Sequence, residues 1–148
     1  MGRRFVPFRK ASNNGPLETE VQAGIQRDLR MLGFTVKKVN TTGIYVKARN
    51  TYIKNPSEGM ADLMILLNGG FIAWVEIKRP GKKSVQRDSQ IEFEEEVTSI
   101  GHVYGIATNT EEALEVIKRA IDIYSSWVGV SPYRLYKNYC STWNKKEA

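Results

Sequence analysis

Two nearly unbroken apolar runs, residues 62–67 (DLMILL) and 71–78 (FIAWVEIK), flank Asn68-Gly69-Gly70 in the middle of the chain. Runs of this length around a Gly-containing link read as a β-hairpin. Because successive side chains of a strand point to opposite faces, a run that is apolar at nearly every position cannot leave one face in water. Both strands must therefore be central in a sheet and covered on both sides. An α/β architecture follows, with a central mixed β-sheet flanked by helices.

The surrounding segments supply the rest of that architecture. Apolar residues at Leu17, Val21, Ile25, Leu29 and Leu32 predict an amphipathic helix that Gly33 stops. Residues 34–40 (FTVKKVN) and 44–48 (IYVKA), joined by Thr-Thr-Gly, predict two strands near one edge of the sheet, and residues 55–59 read as a loop. Past Arg79-Pro80-Gly81, Ser84 is expected to cap a helix that runs to about Ile100, with Phe93, Val97 and Ile100 inward. Residues 103–107 (VYGIA) predict a short buried strand. Thr110 is expected to cap a last helix that turns Ala113, Val116, Ile117, Ala120, Ile121 and Tyr124 to the core. The predicted order is α-β-β-β-β-α-β-α, followed by a C-terminal extension.

Residues 1–16, with Arg3, Arg4, Arg9 and Lys10 beside an Asn-Asn-Gly-Pro run, read as a flexible basic arm, and residues 17–124 as the folded domain. In residues 125–148, Trp127, Tyr133, Tyr136, Tyr139 and Trp143 alternate with Arg134, Lys137, Lys145 and Lys146. Such a pattern suits base stacking, but packing on the domain or on a second subunit is favoured, since most aromatic residues are core residues first. No apolar run approaches a membrane span, and Cys140, the single cysteine, can form neither an internal disulfide nor a thiolate zinc site. A reducing, cytoplasmic setting without membrane insertion is the expectation. With a formal net charge of +6 and a pI near 9.5, the surface should attract polyanions, nucleic acid above all.

Charged residues inside strands that must be buried need a reason. Glu76 and Lys78 are two apart and so share a face, while Ile77 points the other way. The hairpin sets the start of its first strand beside the end of its second, which brings Asp62 next to both. Two carboxylates in partial burial resist ionisation unless a cation compensates them. Mg²⁺, with Mn²⁺ as a substitute, suits this set: two carboxylates, the Ile77 carbonyl as a candidate further ligand, and a substrate phosphate. Such a metal polarises a phosphodiester and activates water, while Lys78 positions that water or balances developing charge. A carboxylate-x-Lys triplet alone is weak evidence; its place at the end of a hydrophobic strand, opposite an Asp and before a Lys-rich turn, gives it weight. Arg79, Lys82, Lys83 and Arg87 lie just beyond it and can grip a phosphate backbone without reading sequence. The bland alternative makes Asp62 and Glu76 solvated strand-end charges with Lys78 as a weak ion-pair partner.

The run GMADLMILLNGGFIAWVEIKRPGKKSVQRDSQ resembles the VRR-NUC branch of the PD-(D/E)XK nucleases, over about residues 17–118. That resemblance implies a restriction-endonuclease-like core, Mg²⁺ or Mn²⁺ dependence, and a DNA endonuclease active on branched, flapped or four-way-junction (Holliday junction) DNA, as in repair. The stand-alone members that it resembles act as homodimers. It also implies a helix carboxylate near the metal, for which Glu18 matches better than Glu20 because Val21 and Gln22 follow it as in the family, and it assigns Gln90 to the site. A Glu in the first turn of a helix can instead answer the helix dipole, and Gln90 can be a polar helix edge. His102, the only histidine, supports no His-based metal site or triad, and the acidic run Glu92, Glu94, Glu95, Glu96 reads as a solvated face. No phosphate-binding Gly-rich loop is present, so no nucleotide cofactor is expected. Two further readings stay open: a sequence-specific duplex endonuclease, and a non-catalytic nucleic-acid-binding module on the same fold.

Overall fold

The computed structural model describes residues 15–82 and 85–129. Along the chain run α1 (Glu18–Met31), β1 (Thr35–Lys38), β2 (Ile44–Val46), β3 (Thr51–Ile53), β4 (Leu63–Leu66), β5 (Ile72–Ile77), α2 (Asp88–Ser99), β6 (Val103–Ala107) and α3 (Thr110–Val128). The apolar runs form the expected hairpin: β4 and β5 pair antiparallel from Leu63↔Val75 to Leu66↔Ile72. Gly69 and Gly70 turn the chain between them with positive φ. A four-stranded sheet in the order β1-β4-β5-β6 puts both hairpin strands in its interior. β6 joins parallel to β5, so the sheet is mixed, and α2 supplies the crossover.

Helices cover both faces, which is why β5 can be buried almost throughout. On one side Ala73, Val75, Ile77, Leu63 and Ile65 pack with Ile25 and Leu29 of α1 and with Val116, Ile117, Ala120 and Ile121 of α3. Each buried Val, Leu or Ile among them contributes about 1.5–3 kcal/mol, and each Ala methyl less. On the other side Trp74 and Tyr104 lie under α2, where Phe93 meets the Trp74 ring edge-on at 5.0 Å and Val97 is buried. Among the described residues no helix is long and apolar enough to cross a membrane.

The structure departs from the sequence expectation in five places. β1 and β2 are not neighbours: β1 pairs with β4, while β2 pairs with β3, a strand not anticipated, in a separate two-stranded sheet. The order is therefore α-β-β-β-β-β-α-β-α. β3 escaped notice because three residues carry too little periodicity to register. α2 begins at Asp88 rather than at Ser84, which lies outside the described residues, as do Lys83, Cys140 and the arm up to residue 14. The side chain capping α3 is that of Asn109, whose Oδ1 accepts from the Glu112 N–H at 2.9 Å; Thr110 instead donates to Asp28 Oδ2 on α1. Ile100, expected inside, is exposed, because α2 has ended by then. α3 runs through Val128, so Trp127 belongs to it and meets Phe71 edge-on, and the extension's other aromatic and basic residues lie outside the described part.

Candidate functional site

Extending the β4–β5 register one step past Leu63↔Val75 sets Asp62 across from Glu76. The chain fixes this pair from below. Asp62 Oδ2 accepts the Ile77 N–H at 2.8 Å, and the Asp62 carbonyl accepts the Val39 N–H at 2.8 Å. The Ile77 side chain points into the core, so at this position the backbone already holds one carboxylate. Gly59 makes the approach possible: its φ is +91°, and a Cβ there would stand 2.6 Å from the Ser89 carbonyl oxygen at the start of α2. The Gly-x-x-Asp spacing thus brings the β4 entry tight against α2.

Glu76 is 2% exposed. Its Oε1 accepts from Lys78 Nζ at 2.9 Å and also from Gln90 Nε2. Gln90 in turn accepts on Oε1 from Lys78 Nζ at 3.2 Å and from the Arg87 N–H at 3.0 Å. One amide side chain therefore ties the carboxylate, the lysine and the first turn of α2 together. Glu76 Oε2 is buried and has no hydrogen-bond partner.

Burial, then the Asp62 charge, push the Glu76 carboxyl up to about 7, against the opposing contact with Lys78. Burial likewise raises Asp62, offset in part by the Ile77 amide, and the Glu18 charge raises both. Glu18 opens α1 and lines the same cleft, whereas Glu20 spends a carboxylate oxygen on the Leu17 N–H at 2.9 Å and so closes the helix end. The dipole explanation fits Glu20; Glu18 faces the other carboxylates.

An orphaned carboxylate oxygen beside a second carboxylate is what a hard cation would satisfy. Among the described residues no group of three or more His, Cys, Asp and Glu side chains is gathered closely enough to hold an ion by itself. Mg²⁺ is commonly held by one or two carboxylates with waters and substrate phosphate, so Asp62 and Glu76 fit that donor set, with Glu18 at the cleft wall.

The cleft has a volume of about 710 Å³, and Lys82 and Arg87 stand exposed on its wall. Arg79 lines it too, but its Nε donates to the Pro16 carbonyl at 3.1 Å and its Nη2 to Gly15 at 3.3 Å, which ties the end of β5 to the entry of α1 and so helps place Glu18. The sequence reading missed Tyr52, Thr41 and Thr42, which also line the cleft. The one available signal was the mirrored Ile-Tyr and Tyr-Ile pairs at 44–45 and 52–53. His102 is half-buried and accepts the Trp74 indole N–H at 3.2 Å. Of the acidic run, Glu92, Glu95 and Glu96 are exposed, while Glu94 is half-buried and accepts from Gln86 Nε2.

No family model matches this chain, and no curated protein matches it. It is similar to a solved structure described as a VRR_NUC domain, at 19% sequence identity and a TM-score of 0.49, over 68% of this chain and 94% of that one. At that level of likeness, function has to be read from the site's own geometry.

Proposed function

We propose that this chain is a metal-dependent nuclease that hydrolyses phosphodiester bonds in DNA, with branched, flapped or four-way-junction DNA as its substrate. The observation that carries the reading is the buried, unpartnered Oε2 of Glu76, held beside Asp62 at the floor of a cleft whose wall bears Lys82 and Arg87. Structural charges alone leave that oxygen unexplained, since burying it without a partner costs about 1–3 kcal/mol or more for a charged group.

Asp62 and Glu76 would hold Mg²⁺ or Mn²⁺, and the ion would supply Lewis-acid polarisation of the phosphate and a more acidic water. The protein's own groups do the rest. The Ile77 amide and Gln90 keep the two carboxylates oriented, so little reorganisation is needed when substrate enters. The Lys78 ammonium, held between Glu76 and Gln90, is set to stabilise negative charge that develops on the phosphorus oxygens. Lys82 and Arg87 contact the backbone on either side, which favours nucleic acid without selecting sequence.

Purified protein should cleave a four-way junction or a flapped duplex only when Mg²⁺ or Mn²⁺ is added. Glu76→Ala should lower that cleavage by at least a hundredfold while leaving binding in EDTA intact. Full metal-dependent cleavage by Glu76→Ala would sink the assignment.

A further inference from the structure

The β2–β3 hairpin contributes nothing to the four-stranded sheet, yet it exposes four large hydrophobic side chains in six strand residues: Ile44, Tyr45, Tyr52 and Ile53. A lone two-stranded ribbon is only marginally stable in water, so a ribbon that displays this much apolar surface needs an occupant to explain it. Its register pairs Tyr45 with Tyr52 and Ile44 with Ile53, which puts both tyrosines on one face and both isoleucines on the other. Tyr52 lines the cleft that holds Asp62, Glu76 and Lys78. The turn between the strands carries Lys47 and Arg49, both exposed.

The two ends of the ribbon are also tied to each other. Asn55 donates from Nδ2 to the carbonyls of Asn40, at 2.8 Å, and Thr42, at 3.1 Å, closing the base of the hairpin. Gly43 leaves room for the Tyr52 ring, which a Cβ at that position would strike. The tyrosine face therefore borders the cleft of Asp62 and Glu76 through Tyr52, with Lys47 and Arg49 at the tip of the hairpin.

We infer that this hairpin is a stacking platform for unpaired nucleotides of a DNA substrate, with Tyr52 taking the base next to the scissile phosphate and Tyr45 the base beyond it. Aromatic faces accept any base, and the adjacent Lys47 and Arg49 answer the phosphates, so contact needs exposed bases but no particular sequence. Paired bases in an intact duplex offer no free face. The inference rests on the nuclease reading for its scissile phosphate, and it narrows the substrate to DNA with unpaired nucleotides at the branch.

The test is binding in EDTA, where cleavage plays no part. A duplex with a short single-stranded flap that carries 2-aminopurine, and the blunt duplex of the same sequence, are titrated with the full chain. Wild type should bind the flap DNA more tightly and quench its 2-aminopurine. Tyr52→Ala should weaken flap binding about 5- to 100-fold, as loss of one stacked base implies, with blunt-duplex binding unchanged. Tyr52→Phe should restore both affinity and quenching, which a purely structural role for the hydroxyl would not allow. Equal loss on both DNAs, no loss on either, or no wild-type binding at all overturns the inference. So does a wild-type dimer that Tyr52→Ala converts to monomer, since the ribbon would then be an interface between copies. If the flap effect appears but Mg²⁺-dependent cleavage does not, the platform stands and the nuclease reading fails; the reverse result separates them the other way.

Discussion

At the residue scale, Glu76 pairs near-complete burial with an oxygen that lacks a partner, and that combination has a measurable signature. The folded chain holds the Glu76 proton up to about pH 7, whereas an unfolded one releases it near 4.5. Between those values the folded state binds more protons, so this residue's contribution to stability is fully present below 4.5 and is lost as pH rises through 7. In EDTA, urea denaturation should therefore show stability falling across that window by a few kcal/mol, with Asp62 adding to the slope in the same direction. Glu76→Gln should flatten the profile; an unchanged slope in that variant would place the titrating group elsewhere. Gln90 makes a second prediction, since it touches Glu76, Lys78 and the α2 entry at once. Gln90→Leu should reduce metal affinity or cleavage about 10- to 100-fold, the usual cost of losing a group that orients a ligand. Isothermal titration with Mn²⁺ reads the first quantity and a junction-cleavage assay the second.

At the element scale, the site is a meeting of ends: the start of β4, the end of β5, and the first turns of α1 and α2. Gly59 controls one of those junctions. Gly59→Ala forces an L side chain to positive φ and drives its Cβ toward the Ser89 carbonyl, so α2 or the β4 entry must shift. A loss of about 1–3 kcal/mol in stability is expected, together with reduced activity, because the same shift moves Gln90 and Asp62 apart. Denaturation and cleavage measured on one preparation would check this; a stable but inactive variant would show that the shift is confined to the site. Asn109→Ala provides the contrasting case. It removes the α3 cap, should cost about 1 kcal/mol, and should leave cleavage unchanged, because α3 packs on the opposite face of the sheet from Glu76.

At the scale of the whole molecule, a net charge of +6 sits on a chain whose central cleft is floored by carboxylates. Attraction of a polyanion therefore comes from the rim and from the distributed charge, and DNA binding should weaken steeply with salt. Replacing Lys82 or Arg87 by Ala should reduce the slope of log K against log salt by about 1 each, on flap and blunt DNA alike. Anisotropy titrations at several salt concentrations give the slope. An unchanged slope would remove these two residues from the interface.

The sequence by itself determined the sheet interior and, with it, the heart of the site. Apolar residues at nearly every position of two short runs require strands in the sheet interior, and a period of two then puts Glu76 and Lys78 on one face, with Asp62 beside them on the neighbouring strand. Those are local rules, so a single chain suffices to apply them. The partner of β1, the β2–β3 ribbon, the α2 start at Asp88, and the role of Arg79 at the α1 entry were decided only by tertiary structure. Each depends on contacts between residues distant in the chain, or on segments of three or four residues too short to show a period. Tyr52 shows the same limit from the other side. Its type and neighbours are written in the sequence, but only the folded ribbon brings it into the cleft that Asp62 and Glu76 line.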